Sequence, residues 1–336
     1  LLALGIESTA HTFGCAIAEM KEEKKGSFRI LSDVRSSYRP PEGSGIHPRE
    51  ASRHHANVCS RILKEAISRS SVEMERIDII GYSAGPGLGP CLRIGAVLAR
   101  LLSTYYRKPL VPVNHALAHI ELGACLTGVS NPLVVLVSGG HTMILLFFNK
   151  RWRIFGETLD ITIGQLLDQY GRSLGFSSPC GSMIERLASN SSKEYSWIPY
   201  TIKGNDVSFS GLLTAAIKLT KDGRFDVGNT CYSLQETAFA ILAEATERAI
   251  SFTNKEEVIV VGGVAANRRL ADMLNYVCLR HGAKLHICPI HYAGDNGVQI
   301  ALTSLVDHVH SKLSVAPENG FIDQAWRLDS VNVTWR

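Results

Sequence analysis

Leu133-Val134-Val135-Leu136-Val137-Ser138-Gly139-Gly140-His141-Thr142-Met143-Ile144-Leu145-Leu146-Phe147-Phe148 is an apolar run, a polar tip with two glycines, and a second apolar run. Both runs have strand length, so Leu133 to Val137 and Met143 to Phe148 read as a β-hairpin. The pattern has an earlier counterpart. Leu1 to Glu7 reads as a buried strand, Ser8-Thr9-Ala10-His11-Thr12 as a hydroxyl-rich turn, and Phe13 to Glu19 as a second strand. Each hairpin is followed by alternating helical and strand patterns. Pro40, Pro41, Gly43 and Gly45 mark a loop, and Pro48 suits the first turn of a helix continued by Ala51, Val58, Ile62 and Ala66. Helices also fit Leu92 to Tyr106, Leu234 to Phe252 and Arg268 to His281, and strands fit Ile79 to Ala84 and Val258 to Val261. The class is α/β, and two similar halves facing each other would bring both polar tips to one cleft.

The expected division lies near Asn131-Pro132. Residues 1–131 form the first unit, joined by about 296–336 because a helix from Asn296 to Leu313 can return to it. Residues 132–295 form the second unit. From Ser314 onward the chain reads as an extended segment on the surface.

At 336 residues the chain is long enough for two cores, and its 45% hydrophobic and 20% charged residues exclude disorder for most of it. No apolar run approaches the roughly 20 residues of a membrane helix. Glu7 follows six uncharged residues with no basic leader, which does not read as a secretory signal. The eight cysteines include no Cys-x-x-Cys pair, a pattern that suits a reducing, cytoplasmic location and argues against a disulfide scaffold or a thiolate zinc site. The net charge of +4 identifies no polyanion by itself. Between Arg29 and Lys64, however, seven Lys/Arg stand against three Asp/Glu, with His47, His54 and His55 among them. That basic stretch reads either as a nucleic-acid contact or as a solvated helix face.

The tip Ser138-Gly139-Gly140-His141-Thr142 reads as a phosphate cradle or simply as a tight hairpin. Gly262-Gly263 follows a strand and leads through Asn267 into a helix N-terminus, a weaker nucleotide signal without a Walker lysine or a Gly-x-Gly-x-x-Gly fingerprint. His115 and His119 lie four apart, so on a helix both imidazoles share one face, as joint metal ligands or as two hydrogen-bonded buried histidines. A zinc protease would need Glu after the first His, and that residue is Ala116. Asp295 is a candidate third ligand of a two-histidine, one-carboxylate site, although spacing does not single it out. Glu157, Asp160, Asp168 and Glu185 read in isolation as surface acids.

Taken together, Gly5-Ile6-Glu7, His47-Pro48-Arg49-Glu50-Ala51, Gly85-Pro86-Gly87-Leu88-Gly89, Asn114-His115 through His119, Ser138 to Thr142, Asp206-Val207-Ser208-Phe209-Ser210-Gly211 and Gly262 to Asn267 resemble one family over nearly the whole chain. It is the tRNA N6-threonylcarbamoyladenosine transferase family, formerly labelled O-sialoglycoprotein endopeptidase. His47-Pro48-Arg49, Ile198 to Gly204 and Val331 to Arg336 are similar to its archaeal and eukaryotic branch, the catalytic subunit of the KEOPS complex.

The resemblance implies the actin/Hsp70/sugar-kinase fold, two RNase H-like domains around a nucleotide cleft, the first carrying the basic helical insertion. It implies transfer of the threonylcarbamoyl group from threonylcarbamoyl-AMP to N6 of the adenosine 3′-adjacent to the anticodon, in tRNAs reading codons that begin with adenine. One divalent metal per subunit, iron(II) or zinc, would be held by His115, His119 and Asp295, with no catalytic residue separate from the metal site and no covalent enzyme intermediate. Leu136, Val137, Ser138, Gly139 and Gly140 would hold phosphate or the carbamoyl end, and Asp168, Gly181, Glu185 and Asn267 the ribose and base of the adenylate or of an ATP- or AMP-type nucleotide. Arg49 and Arg53 are the expected tRNA contacts. Implied partners are tRNA, an upstream adenylate-forming enzyme, and KEOPS subunits including a small protein kinase, fused in some relatives, and a dimerising bridging subunit.

Four positions depart from the family pattern. Leu136 stands where many archaeal relatives have Tyr as a further ligand, Cys180 replaces the first glycine of a pair, and Gln165 sits where the bacterial branch commonly has a carboxylate. Ser8 replaces a frequent glycine and is expected to crowd the phosphate side. The competing readings are a metalloprotease, a kinase, and a nucleotide-gated RNA-binding module.

Overall fold

The computed structural model describes residues 1–21, 28–223 and 225–336. The first sheet contains β1 (Leu2–Glu7), β2 (Thr12–Met20), β3 (Phe28–Ser37), β4 (Ile79–Gly85) and β5 (Leu110–Asn114), in the order β3-β2-β1-β4-β5. β1 pairs antiparallel with β2 and parallel with β4. Helix α1 (Pro48–Ser70) joins β3 to β4, α2 (Gly89–Tyr106) joins β4 to β5, and α3 (His115–Thr127) follows β5.

The second sheet repeats this plan. β6 (Leu133–Val137), β7 (Thr142–Phe148), β8 (Arg151–Glu157), β11 (Glu257–Val261) and β12 (Lys284–Ile287) lie in the order β12-β11-β6-β7-β8. β6 is antiparallel to β7 and parallel to β11, as β1 is to β2 and β4. Between β8 and β11 stand α4 (Ile163–Ser173), α5 (Gly181–Ser189), the small ribbon β9 (Thr201–Lys203) and β10 (Asp206–Ser208), α6 (Ser210–Asp222) and α7 (Val227–Thr253). α8 (Arg268–Arg280) joins β11 to β12, and the short α9 (Ile290–Ala293) leads into α10 (Gly297–Ser311).

Each hairpin expected from the sequence is thus the first two strands of a three-stranded meander. Its third strand, β3 or β8, lies at the sheet edge and carries charged residues, Arg29, Asp33 and Arg35 in β3 and Arg151, Arg153 and Glu157 in β8. Exposed charge, here Arg29 and Arg151, helps an edge strand resist pairing with another chain, and the charged positions together hide the strand from an apolar-run reading.

α3 and α10 sit between the two sheets. α3 is buried on every face and mostly apolar, its exceptions being the buried His115, His119 and Glu121. Its Ala118 and Leu122 pack with Val111, Val113 and Leu302, while its Ala116, Leu117 and Ile120 pack with Val134, Leu136 and Val261 of the second sheet. α10 lies on the first sheet at backbone contact, for a Cβ on Gly5 would lie 2.2 Å from the Gly297 carbonyl oxygen. Both helices begin at an asparagine cap that follows a parallel strand or short turn. The Asn114 Oδ1 accepts from Leu117 N at 3.1 Å, and Asn296 Oδ1 accepts from Gln299 N at 2.9 Å. The repeat therefore brings two helix N-termini, one from each half of the sequence, to the same place.

The segment from Ser314 is the extended surface strip expected, with Leu328 and Val333 alone fully buried, and it is bound to both sheets. It begins on the first sheet, where Val315 N donates to Leu110 O and Asp323 N to Ala84 O, and then crosses to the second. There Leu328 and Val333 are buried beside Leu145 and Trp152. Among the described residues no helix is long and apolar enough to cross a membrane.

Candidate metal centre and nucleotide cleft

His115 is the first residue of α3 and His119 lies one turn further on, with ring centroids 4.6 Å apart. Asp295 arrives immediately before the α10 cap. Its Oδ1 lies 3.3 Å from His119 Nε2 and 3.5 Å from His115 Nε2. One ligand atom from each of the three lies within 4.8 Å of the others, and both histidines are buried. Two imidazole nitrogens and one carboxylate suit iron(II) or zinc and leave coordination positions open.

A second layer orients this trio. Glu7, fully buried at the end of β1, places Oε2 3.0 Å from His115 Nδ1 and takes a hydrogen bond on Oε1 from Thr9 N at 2.7 Å. Gln299 Nε2 donates to Glu7 Oε2 at 3.3 Å. A carboxylate on Nδ1 fixes the tautomer and aims Nε2 at the shared point, the usual outer partner of a metal-bound histidine. Sequence reasoning assigns no role to Glu7 or Gln299. The one signal it offers is an acid closing an otherwise apolar parallel strand, where α/β sheets place their sites.

Burial pulls the His115 imidazole down, but Glu7 and Asp295 reverse this and hold it up to about 9. For His119 burial prevails over the Asp295 hydrogen bond, and its pKa is lowered. Asp295 resists burial through His119 and His115, which hold it well below the usual carboxylate range. A proton on His115 thus offsets the buried Glu7 carboxylate and the partly buried Asp295 carboxylate when no ion is present.

The two hairpin tips flank His115, with Thr9 Oγ1 3.5 Å from its Nδ1 on one side and the His141 ring 6.3 Å away on the other. Burial and the neighbouring histidines push His141 down to about 3, so it stays a neutral imidazole. Ser138 Oγ accepts from Gly140 N at 3.2 Å and His141 N at 3.0 Å, closing the second tip. This tip sits on the N-terminus of α4, where Thr162 Oγ1 donates to Gly139 O and Gln165 completes a capping box with Thr162. Gln165 therefore serves the helix start as a carboxylate could at that position. Gly139 and Gly140 are exposed, and a Cβ on Gly139 would meet nothing within 4 Å, so the cleft side of the tip is open. Leu136 and Val137 are fully buried in apolar clusters, which leaves only their backbone available to a ligand. Gly262 backs the tip at φ +95°, where a Cβ would stand 2.3 Å from the Val137 carbonyl oxygen.

The remaining expected ligand residues form a second group. Asp168 on α4 accepts from Cys180 N at 2.6 Å, and burial raises its pKa. Gly181 starts α5, and Glu185 on the same helix accepts from Arg268 N at 2.9 Å. Asn267 caps α8, accepting from Arg269 N and Leu270 N while its Nδ2 donates to Gln235 Oε1. His11 at the first tip lies within electrostatic range of both Asp168 and Asp295, which links this group to the trio. Arg49 and Arg53 are exposed near the start of α1, Arg53 paired with Glu50 at 3.3 Å.

One expectation changes. Ser8 does not crowd the phosphate side, because its side chain is buried against α2, with Oγ 2.2 Å from where a Cβ on Gly95 would stand. Asp160 is the exposed acid expected, and it also accepts from Phe209 N at 2.8 Å and from the Ser208 and Ser210 hydroxyls. Against a desolvation cost, these bonds hold it well below the usual carboxylate range, so Asp160 organises the Asp206 to Gly211 turn.

Residues 29–302 match the family model described as tRNA N6-adenosine threonylcarbamoyltransferase. Proteins of that name from Staphylothermus marinus and Caldivirga maquilingensis are 46% and 45% identical to the chain, covering 99% and 100% of it and 99% and 98% of themselves. The chain belongs to the tRNA N6-adenosine threonylcarbamoyltransferase family. Solved structures extend the likeness in fold alone. HypF of T. kodakarensis aligns with a TM-score of 0.61 at 15% identity, over 90% of this chain and 47% of its own. The Acidaminococcus fermentans (R)-2-hydroxyglutaryl-CoA dehydratase component A aligns at 0.56 and 13%, over 92% and 99%. This threonylcarbamoyltransferase family member thus has the actin/Hsp70/sugar-kinase fold, with the repeated sheet order on either side of its cleft.

Proposed function

We propose that the chain transfers the threonylcarbamoyl group from threonylcarbamoyl-AMP to N6 of the adenosine 3′-adjacent to the anticodon, modifying tRNAs that read codons beginning with adenine. The observation that carries this reading is the His115, His119 and Asp295 trio at the base of a cleft edged by an open glycine tip. A bound iron(II) or zinc ion would supply Lewis acidity to the acyl carbonyl. His115 and His119 would hold it through Nε2 and Asp295 through its carboxylate, with Glu7 keeping the His115 proton on Nδ1. The backbone of Leu136 to Gly140, on the α4 N-terminus, would bind phosphate or the carbamoyl end. Asp168, Gly181, Glu185 and Asn267 would bind ribose and base. The neutral His141 imidazole offers hydrogen bonding without a second positive charge beside His115. A protease reading has no general base at Ala116, and a kinase reading leaves the trio without a purpose.

Residues 1–131 with 296–336, and 132–295, are the two RNase H-like units of this proposal. Arg49 and Arg53 would meet tRNA phosphates. Val97, Leu101 and Tyr105 form an exposed apolar row along α2, which gives the dimerising bridging subunit a face to occupy. The small protein kinase and an upstream adenylate-forming enzyme complete the expected set, and the setting is cytoplasmic.

The test follows labelled threonine into unmodified tRNA with the adenylate-forming enzyme and KEOPS partners present. Incorporation with the intact chain, and its loss together with bound metal in His115→Ala/His119→Ala, is the expected result. Metal retained at full stoichiometry by the folded double variant would place the ligands elsewhere.

A further inference from the structure

We propose that the segment from Trp326 to Arg336 is a positioning element for the metal-binding helix. The inference rests on the metal reading of His115 and His119. Asn114, buried directly before His115, uses its Oδ1 to cap α3, and its Nδ2 donates to Trp326 O at 3.1 Å. The cap amide is therefore held from both ends. Two residues beyond His119, Glu121 is held again by the same segment. Its Oε1 accepts from Arg336 Nε at 2.7 Å and its Oε2 from Trp335 Nε1 at 3.1 Å. The two histidines lie between these points on about two turns of helix.

Between its two grips the segment is anchored to the second sheet. Val333 N donates to Lys150 O at 2.8 Å, and Arg327 pairs with Glu157 of β8 at 3.4 Å. The Arg336 guanidinium stands 4.8 Å over the Trp152 ring and donates to Ser130 O at 2.7 Å. Thus α3, whose sequence follows the first sheet, is referenced to the second sheet by Glu121 and to the first by Asn114. Asp295 comes from beyond the second sheet, so the distance between the histidines and Asp295 depends on that referencing.

The Glu121–Arg336 pair is nearly inaccessible, with side chains 2% and 4% exposed. Desolvation cancels much of the attraction in such a pair, so stability alone is a weak reason for it. A planar guanidinium that holds the Glu121 carboxylate through Nε and the Ser130 carbonyl through Nη1 does define position, which a simple apolar contact would define less sharply. Trp335 and Arg336 touch neither ligand atoms nor the open tip. They act through α3.

The experiment measures zinc affinity of the full chain by chelator competition, well below the melting temperature, alongside amide exchange along α3 and α10. The variants are Trp335→Phe, Arg336→Ala, Arg336→Lys and His115→Ala. Trp335→Phe removes one hydrogen bond and keeps the ring, so it remains informative where Arg336→Ala fails to fold. The expected result is zinc bound about tenfold more weakly by Trp335→Phe and Arg336→Ala, the scale seen for outer partners of metal ligands. Exchange should quicken in α3 more than in α10, and Arg336→Lys should recover only part of the affinity because one ammonium does not reproduce the separate Nε and Nη1 contacts to Glu121 and Ser130. A merely structural role would lower the melting temperature and leave zinc affinity of the folded protein unchanged. That outcome, with zinc lost in His115→Ala, overturns the proposal and leaves the metal reading standing. Zinc retained in His115→Ala overturns both.

Discussion

Glu7→Gln separates two opposing effects of one buried carboxylate, and pH is the variable that pulls them apart. In the metal-free protein His115 is held up to about 9, chiefly by Glu7 against burial. A metal ion entering at Nε2 must displace that proton. At pH 7, two units below the pKa, the competition costs about 2.7 kcal/mol, a factor of about 100, at 1.36 kcal/mol per unit. Log K for metal should therefore rise by about one per pH unit up to about 9 and then level. Glutamine keeps the shape of Glu7 and its acceptor for Thr9 N, but removes the charge that holds the proton. Burial then dominates at His115, and the pH slope largely flattens. The same change loses the acceptor that orients Nδ1–H, which lowers intrinsic affinity about 10- to 100-fold. Near pH 7 the two effects offset one another, whereas at pH 9 only the loss of orientation remains. Zinc affinity by chelator competition at half-unit steps from pH 6.5 to 9.5 measures both. A variant that keeps the unit slope, or that binds as tightly as the parent at pH 9, refutes the assignment of Glu7 as the orienting partner. The sign has a counterpart in stability. A histidine raised in the folded state contributes stability that is fully present below about 6.5 and is lost as pH rises through about 9, so the metal-free parent should lose stability over that window and Glu7→Gln should not.

Arg49→Ala and Arg53→Ala should each weaken tRNA binding and reduce the slope of log K against log salt by roughly 0.7 to 0.9, with adenylate binding unaltered; tRNA affinity unchanged across a salt series would remove α1 from the interface. Asp307, buried on α10 near Glu121, His308 and Ser311, is pushed up to about 6 by burial. A carboxyl raised in the folded state binds its proton more tightly there, so this group adds stability as pH falls from about 6 to about 4. Its ionised form costs about 3 kcal/mol at pH 7. Asp307→Asn should therefore be stabilising at pH 7 and near neutral at pH 4, and parallel urea-unfolding curves for variant and parent against pH would contradict this.

Sequence patterns report whatever a single element decides for itself. The two hairpins, the helix begun by Pro48 and the histidine pair each depend on residues a few positions apart, and periodicity registers those. The third strand of each meander escapes it because edge position, not chain-local pattern, accounts for Arg151, Arg153 and Glu157 in β8. α7 extends beyond the expected Leu234 start to Val227 because the Asp226 cap and the buried Gly228 to Cys231 turn carry no apolar stripe. The closing segment reads as surface because Leu328 and Val333 stand among polar residues, yet these two are buried in the cluster of the second sheet and α3, beside Leu145 and Trp152. The site divides in the same way. His115 and His119 share one helix and are visible in the sequence. Asp295 is brought to them by the crossing of α3 and α10, so spacing can nominate it only with the help of resemblance. Glu7 and Gln299 reach His115 from the other end of the sequence and from α10; beyond the acid that closes apolar β1, nothing near either residue announces it. The repeated sheet order explains why this is so. A fold that duplicates one unit and faces the copies places corresponding helix N-termini together, and a centre built there draws its ligands from both copies. Such a site is non-local by construction. Sequence can reveal only those ligands that a single copy supplies, and the second layer becomes visible only when both helices are in place.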